Sequence, residues 1–184
     1  MGEPGTQDVV RLEDLEASRQ FTGRKHILSL LVENRPGVLA RIAGLFSRRG
    51  FNIDTLAVGP TEDPDISRIT LTLDGAVHPI DQVTKQLHKL VNVIKIRDME
   101  PGSTTTRELA LFRVSASMEN RAEILQFAEI YEGRVVDVSR RSLTVEVTGS
   151  QEKIDSFEAM VRPHGLIEMA RTGEVAITKS RPEQ

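Results

Sequence analysis

The 184-residue chain has no cysteine, no tryptophan and a single tyrosine. Without cysteine there is no disulfide framework, thiolate metal site or cysteine nucleophile. That usage suits a reducing compartment, so a cytoplasmic protein is expected. Aromatic residues make up 4% of the chain, which leaves little for stacking on bases. No charge of one sign dominates. The formal net charge of -3 combines -3 in residues 1–23, +3 in 24–99, -1 from Glu100 and -2 in 107–184. Duplex binding requires many Lys and Arg facing phosphates, so nucleic acid is not an expected partner. The longest apolar runs, such as 27–32 interrupted by Ser29, fall far short of a membrane span. An acidic N-terminus without an apolar core does not suit a signal peptide, so no membrane association is expected.

A regular pattern of elements is present. Residues 1–23 hold Gly2, Pro4, Gly5 and Gly23 without sustained periodicity and are expected to form a mobile tail, with a short helix near 9–18. Met1-Gly2 followed by Thr6 has the spacing of a myristoylation motif, but Glu3 and Pro4 suit it poorly and chance accounts for it. From residue 24 the pattern predicts a strand over 27–32, a helix over 37–49 ended by Gly50, a strand over 51–58, a strand around Ile69, Leu71 and Leu73, a helix from Pro79 and a strand over 91–97. This β-α-β-β-α-β order is the split βαβ arrangement, an antiparallel four-stranded sheet with both helices on one face. The stretch Pro101-Gly102-Ser103-Thr104-Thr105-Thr106 then has the composition of a linker. After it the order repeats, with strands over 109–115, 134–139 and 143–148, helices over 120–131 and 151–161, and a last strand within 166–175. The expected fold class is therefore α+β, two tandem ferredoxin-like (βαββαβ) domains at 24–99 and 107–184, with a tail at 1–23 and a linker at 100–106.

Local matches support the repeat. Glu33-Asn34-Arg35 recurs as Glu119-Asn120-Arg121, Val38-Leu39 as Ile124-Leu125, and Gly50 and Asp54 as Gly133 and Asp137.

No catalytic constellation is evident. His26, His78, His88 and His164 lack the paired helical spacing of a zinc site, and no nucleophile elbow surrounds a serine. Glu62, Asp63 and Asp65 cluster in a loop, but Pro60 and Pro64 depart from a calcium-loop pattern and a solvated turn is expected. Arg48-Arg49 and Arg140-Arg141 are expected to face solvent. One segment stands out, Asn34-Arg35-Pro36-Gly37-Val38-Leu39, between a strand and a helix. Asn34 is expected to cap that helix. Gly37 admits a ligand close to the backbone, and the free N–H groups around 37–39 suit a carboxylate. The amides of Asn34 and Asn52 offer acceptors for an ammonium group, and Leu39, Ile42 or Ile53 an apolar wall. A capped helix punctuated by Pro and Gly explains the same turn with no ligand at all.

The turn resembles the ligand-binding turn of ACT domains, small modules that sense amino acids. Over 30–39 and 44–53, with 65–70 and 85–93, the chain is similar to the small subunits of acetolactate (acetohydroxyacid) synthase, and the resemblance covers about residues 24–178. It implies a noncatalytic regulatory subunit, with the first domain an ACT domain. It implies a large catalytic subunit as partner, where thiamine diphosphate, Mg and FAD would reside, and no cofactor or metal in this chain. It further implies a homodimer through the ACT domains and feedback inhibition by valine or another branched-chain amino acid. The effector-binding residues would be Asn34, Pro36, Gly37, Val38 and Leu39 of one protomer with Asn52 and Ile53 of the other. The repeat aligns Pro36 with Ala122, Gly37 with Glu123 and Asn52 with Val135, so only the first domain is expected to bind the effector. The second would serve dimerisation and contact with the catalytic subunit. An ACT-type sensor serving a different biosynthetic enzyme, or a small enzyme on the same scaffold, remain the competing readings.

Overall fold

The structure is a computed structural model that describes residues 25–74 and 79–180. The expected tail with its short helix, the Met1–Thr6 motif and His78 lie outside the described residues. The first domain runs β1 (Lys25–Glu33), α1 (Val38–Arg49), β2 (Thr55–Pro60), β3 (Ile66–Asp74), α2 (Ile80–Leu87) and β4 (Val93–Asp98). Its sheet has the order β2-β3-β1-β4, antiparallel at every pairing. The second repeats the plan with β5 (Thr104–Ser115), α3 (Arg121–Ile130), β6 (Arg134–Val138), β7 (Ser142–Gly149), α4 (Gln151–Val161) and β8 (Leu166–Arg171), in the order β6-β7-β5-β8. The α+β, tandem ferredoxin-like fold expected from the sequence is the fold observed.

Two separate cores follow from the two periodicities. In the first, Leu28, Leu30 and Val32 alternate along β1 with Ile69, Leu71 and Leu73 beside them on β3. Val38, Ile42, Leu45 and Phe46 of α1 and Val83 and Leu87 of α2 cover that face at helical spacing. In the second, Phe112 of β5 and Phe157 of α4 meet at 5.0 Å between ring centroids, and Tyr131 packs edge-on against Phe157 at 5.4 Å.

Three segments differ from expectation. Residues 51–54 are not strand. Gly50 adopts φ 67, and the N–H of Phe51 returns to the carbonyl of Phe46 at 3.0 Å, while the Phe51 ring packs edge-on to Phe46 at 5.7 Å. This closes α1 as a left-handed C-terminal cap with its hydrophobic contact, so the strand begins only at Thr55. Segment 100–106 is structured: Pro101–Ser103 form a single 3-10 turn and Thr104 already belongs to β5. Beyond β8 lies a further strand, β9 (Val175–Thr178), which pairs antiparallel with Thr104–Arg107.

The ribbon made by β9 and the start of β5 lies against the helix-free face of the first sheet. Ser29, Thr70 and Thr72 point to that face and are nonetheless buried, as are Ala176 and Thr104 of the ribbon. The junction is tight: a Cβ at Gly173 would stand 3.0 Å from the Cβ of Thr55.

Two expectations about stability follow. Phe112→Ala should cost about 3–5 kcal/mol, read as a lower midpoint in urea unfolding. Glu174, buried before β9, has its carboxyl pushed above the ordinary range by burial, partly opposed by a hydrogen bond with Thr106. A raised carboxyl favours folding while protonated, and that contribution is lost as pH rises from the ordinary carboxylate range through the folded value. Glu174→Gln should therefore melt higher than the parent at pH 7, with the gap closing toward pH 4 in a series of thermal melts.

Candidate functional site

The turn after β1 is held at its base by backbone. The N–H of Glu33 donates to the carbonyl of Asn92 at 3.0 Å and that of Asn34 to Asp65 at 2.7 Å. The Asn34 side chain donates to the carbonyl of Pro64 at 2.9 Å and so ties the turn to the acidic loop before β3. It does not cap α1, contrary to the expectation from sequence. The cap position is Gly37, at φ 84 and ψ -8, with no side-chain bond to the helix. Glycine fits because this left-handed backbone strains other residues, and a Cβ there would meet nothing within 4 Å. The space over the first turn is therefore open. The N–H of Val38 donates to the carbonyl of Arg35 at 3.4 Å, the N–H groups that follow it carry the positive end of the helix dipole, and no acidic residue lies in the turn to neutralise it. An anion is the matching ligand.

A second network braces the turn and was not foreseen. The Arg41 guanidinium donates to the Asn92 side-chain oxygen at 2.6 Å, and the Asn92 amide donates to the Glu33 carboxylate at 2.6 Å. The long sequence separation of Glu33 and Asn92 hides it from any local pattern.

The apolar wall is smaller than expected. Ile42 is 1% exposed and the Val38 side chain 5%, so both belong to the core, and Val38 can offer only its backbone. Leu39, at 41% exposure, and the partly buried Ile53 remain. Pro36 is exposed at the rim of the turn.

Asn52 and Ile53 follow the cap of α1. Asn52 is exposed and donates to one carboxylate oxygen of Asp54 at 3.1 Å, which leaves its own oxygen available. The other oxygen of Asp54 is enclosed without a hydrogen-bond partner. Burial raises the Asp54 carboxyl above its usual range, opposed in part by Lys25. Strand register shows how the two groups are disposed. Thr55 opposes Thr72, which opposes Ile27 at the start of β1, whereas Glu33 opposes Ile66 at its end. Asn34–Leu39 and Asn52–Ile53 thus lie at opposite ends of the sheet, separated by the 12 residues of α1, about 18 Å at 1.5 Å per residue. One chain does not bring them together.

The second domain is related differently from the sequence matches. Ala116 N–H bonds to the carbonyl of Arg141 as Asn34 N–H bonds to that of Asp65. Asn34 therefore corresponds to Ala116 and not to Asn120, and the two cap positions, Gly37 and Asn120, correspond to each other. Likewise Val135 opposes Val145 as Val58 opposes Ile69, so Val135 corresponds to Val58 and not to Asn52. Gly133 and Glu123 lose their assigned counterparts by the same shift. In place of an open turn, one Arg121 nitrogen donates to the carbonyls of Ala116, Ser139 and Arg140 at 3.0, 2.8 and 3.0 Å. Asn120 accepts from the N–H of Ser117 at 2.7 Å.

Other candidates fall away. His88 is exposed at the end of α2, and His164 packs on Phe127 at 5.4 Å between centroids. The 61–65 loop is a turn closed by its own bonds, with Asp63 accepting from the N–H of Asp65 at 3.0 Å. Arg48, Arg49, Arg140 and Arg141 are exposed. Among the described residues no group of three His, Cys, Asp or Glu could hold a metal ion, and no helix is long and apolar enough to cross a membrane.

Comparison with known proteins gives concordant results for both domains. Residues 28–95 match the family described as an AHAS small subunit-like ACT domain, and residues 107–180 the family described as the small subunit of acetolactate synthase. The chain is 52% identical over 155 residues to the "Probable acetolactate synthase small subunit" of Methanothermobacter thermautotrophicus, covering 84% of this chain and 92% of that one. It is 47% identical over 154 residues to the acetolactate synthase small subunit of Mycolicibacterium smegmatis, covering 84% and 91%. The crystal structure of the acetolactate synthase small subunit from Thermotoga maritima superposes with a TM-score of 0.80 at 39% identity, covering 86% of this chain and 99% of that one.

Asn34→Ala should remove the bond to Pro64 and cost about 1 kcal/mol. Hydrogen exchange should show faster exchange at Asp65 and Ile66 while the N–H groups within α1 keep their protection.

Proposed function

The chain belongs to the family of acetolactate synthase small subunits, and from that membership and the geometry of its two half-sites we propose that it is a noncatalytic regulatory subunit. In this reading it raises the activity of a thiamine-diphosphate-dependent large subunit and makes that activity subject to feedback inhibition by valine or another branched-chain amino acid. The observation that carries the reading is the open turn at Gly37, at the positive end of the α1 dipole, which suits a carboxylate, set at the far end of α1 from the Asn52 oxygen, which suits an ammonium group. One zwitterion needs both, so the site is completed by a second copy.

The free edge of the first sheet supports that pairing. β2 bonds only to β3, and Leu56 and Val58 on it are 37% and 50% exposed. Two copies joined along β2 form a homodimer in which the turn of one protomer approaches Asn52 and Ile53 of its partner. Leu39 and Ile53 receive the aliphatic side chain. Pro36 holds the turn open, and Gly37 and Val38 offer backbone.

Inhibition then follows from linkage. The effector binds one arrangement of the dimer more tightly, and that arrangement is paired with a less active catalytic complex. A differential affinity of about 1–3 kcal/mol is the usual size of such coupling.

The test is to combine the chain with its cognate large subunit and titrate valine. Activation by the chain and a falling rate with added valine are expected. Gly37→Asp, which places a carboxylate where the effector carboxylate would sit, and Asn52→Ala should each abolish inhibition and preserve activation. Retained inhibition in both variants overturns the site, and loss of activation together with inhibition marks a folding defect.

A further inference from the structure

A pocket of about 310 Å³ lies where the ribbon of β9 and the start of β5 meets the helix-free face of the first sheet. Its volume is at the small end of the range for small-molecule sites. None of residues 34–39, 52 and 53 lines it, so it is separate from the effector site proposed above.

Strand register fixes its floor. Arg68 and Thr70 of β3 stand on the helix-free face, because Ile69 and Leu71 point to the core. Arg68 opposes Gly59 of β2, and Thr70 opposes Ala57. A Cβ added at Gly59 would meet nothing within 4 Å, so the missing side chain leaves open space beside Arg68. The ribbon supplies the wall. Arg107 pairs with Val175 and Thr105 with Ile177, and all four line the pocket. Val175 and Ile177 are 53% and 60% exposed, so their apolar surface is not taken up by a core.

The charge of the lining has one sign. Two guanidinium groups border the pocket and no carboxylate does. Half-buried Arg68 donates to the Ser29 hydroxyl at 3.2 Å, and exposed Arg107 donates to the carbonyl of its neighbour Thr106 at 2.7 Å. Among the described residues neither has an acidic partner. Arg113, Arg134, Arg162 and Arg171 of the second domain each pair with a carboxylate. A guanidinium carries five N–H donors, so both forks at the pocket keep donors to spare.

We propose that this pocket binds a small aliphatic monocarboxylate that carries no ammonium group. The two guanidinium forks hold the carboxylate, a planar anion that matches their geometry. Ala57, Val175 and Ile177 cover a short hydrocarbon chain, and their apolar surface keeps water from the ion pair and strengthens it. An amino acid is rejected, because its ammonium group would face two cations with no carboxylate to receive it. A metal ion is rejected on the same ground. Arg68 belongs to the first domain and Arg107 to the second, so the ligand ties the ribbon to the sheet within one chain and stabilises the folded form by its binding.

The test is calorimetry on the full-length chain with 3-methylbutanoate as the probe, in the presence of excess valine to occupy the effector site. One 3-methylbutanoate per chain should bind and raise the melting temperature. 3-Methylbutylamine, with the same hydrocarbon and the opposite charge, should not bind, and acetate should bind at least about tenfold more weakly for want of the hydrocarbon. Arg107→Gln, at an exposed position, should weaken 3-methylbutanoate by about tenfold or more at an unchanged melting temperature of the free chain. Gly59→Leu should fill the space beside Arg68 and abolish binding. Absence of 3-methylbutanoate binding, equal binding of the amine or of acetate, displacement by valine, or unchanged affinity in the Arg107→Gln chain overturns the proposal. The interchain site is judged separately, by the valine titration of the complex, so either reading can fail alone.

Discussion

Twelve residues of helix stand between the two groups that an amino acid would need. Gly37 caps one end of α1 and Gly50 the other, and a βαβ crossover makes the strand before the helix finish at one end of the sheet and the strand after it start at the other. No side-chain adjustment spans that distance. In the reading proposed above, a chain built this way has two half-sites and no whole one, and recognition and association would become one event. The edge of β2, paired on one side only, is where that reading places the second copy.

The same scaffold occurs twice, and only one copy keeps the turn open. In the first domain the helix begins at a glycine whose missing side chain leaves room above the N–H groups. In the second, it begins at Asn120, and the neighbouring Arg121 fills the equivalent space with a guanidinium bonded to three carbonyls. A half-buried cation tied to its own loop serves as a structural plug.

Much of this arrangement was legible in the residues, and the reasons for the exceptions are physical. Helical spacing of Val38, Ile42, Leu45 and Phe46 and alternation of Ile69, Leu71 and Leu73 located the first core, because burial on one face leaves a period. The α4 helix occupies 151–161 as its pattern predicts. The exit of α1 misled because Phe51 and Ile53 are apolar as strand residues are, yet Phe51 seats the helix cap and Ile53 packs on the core from a loop. Asn34 suits a cap by type, but its partner, Pro64, lies thirty residues away. The repeat is legible in the recurring element order, whereas the Glu-Asn-Arg triplets offered in its support prove to be out of register, since hydrogen-bond partners and not residue names define equivalent positions. The short apolar run Val175-Ala176-Ile177 after Gly173 is the clue that a ninth strand follows.

That ninth strand gives the chain a direction in time. The face of the first sheet around Ser29, Thr70 and Thr72 is covered by residues 175–178, which a ribosome makes more than a hundred residues later. For that interval the nascent first domain stands with one face bare. Its centre is hydroxyl-bearing where an aliphatic strip would invite association, and water can solvate it until the ribbon arrives. The choice of serine and threonine at positions that end up buried is thus suited to a protein that must wait for its own C-terminus.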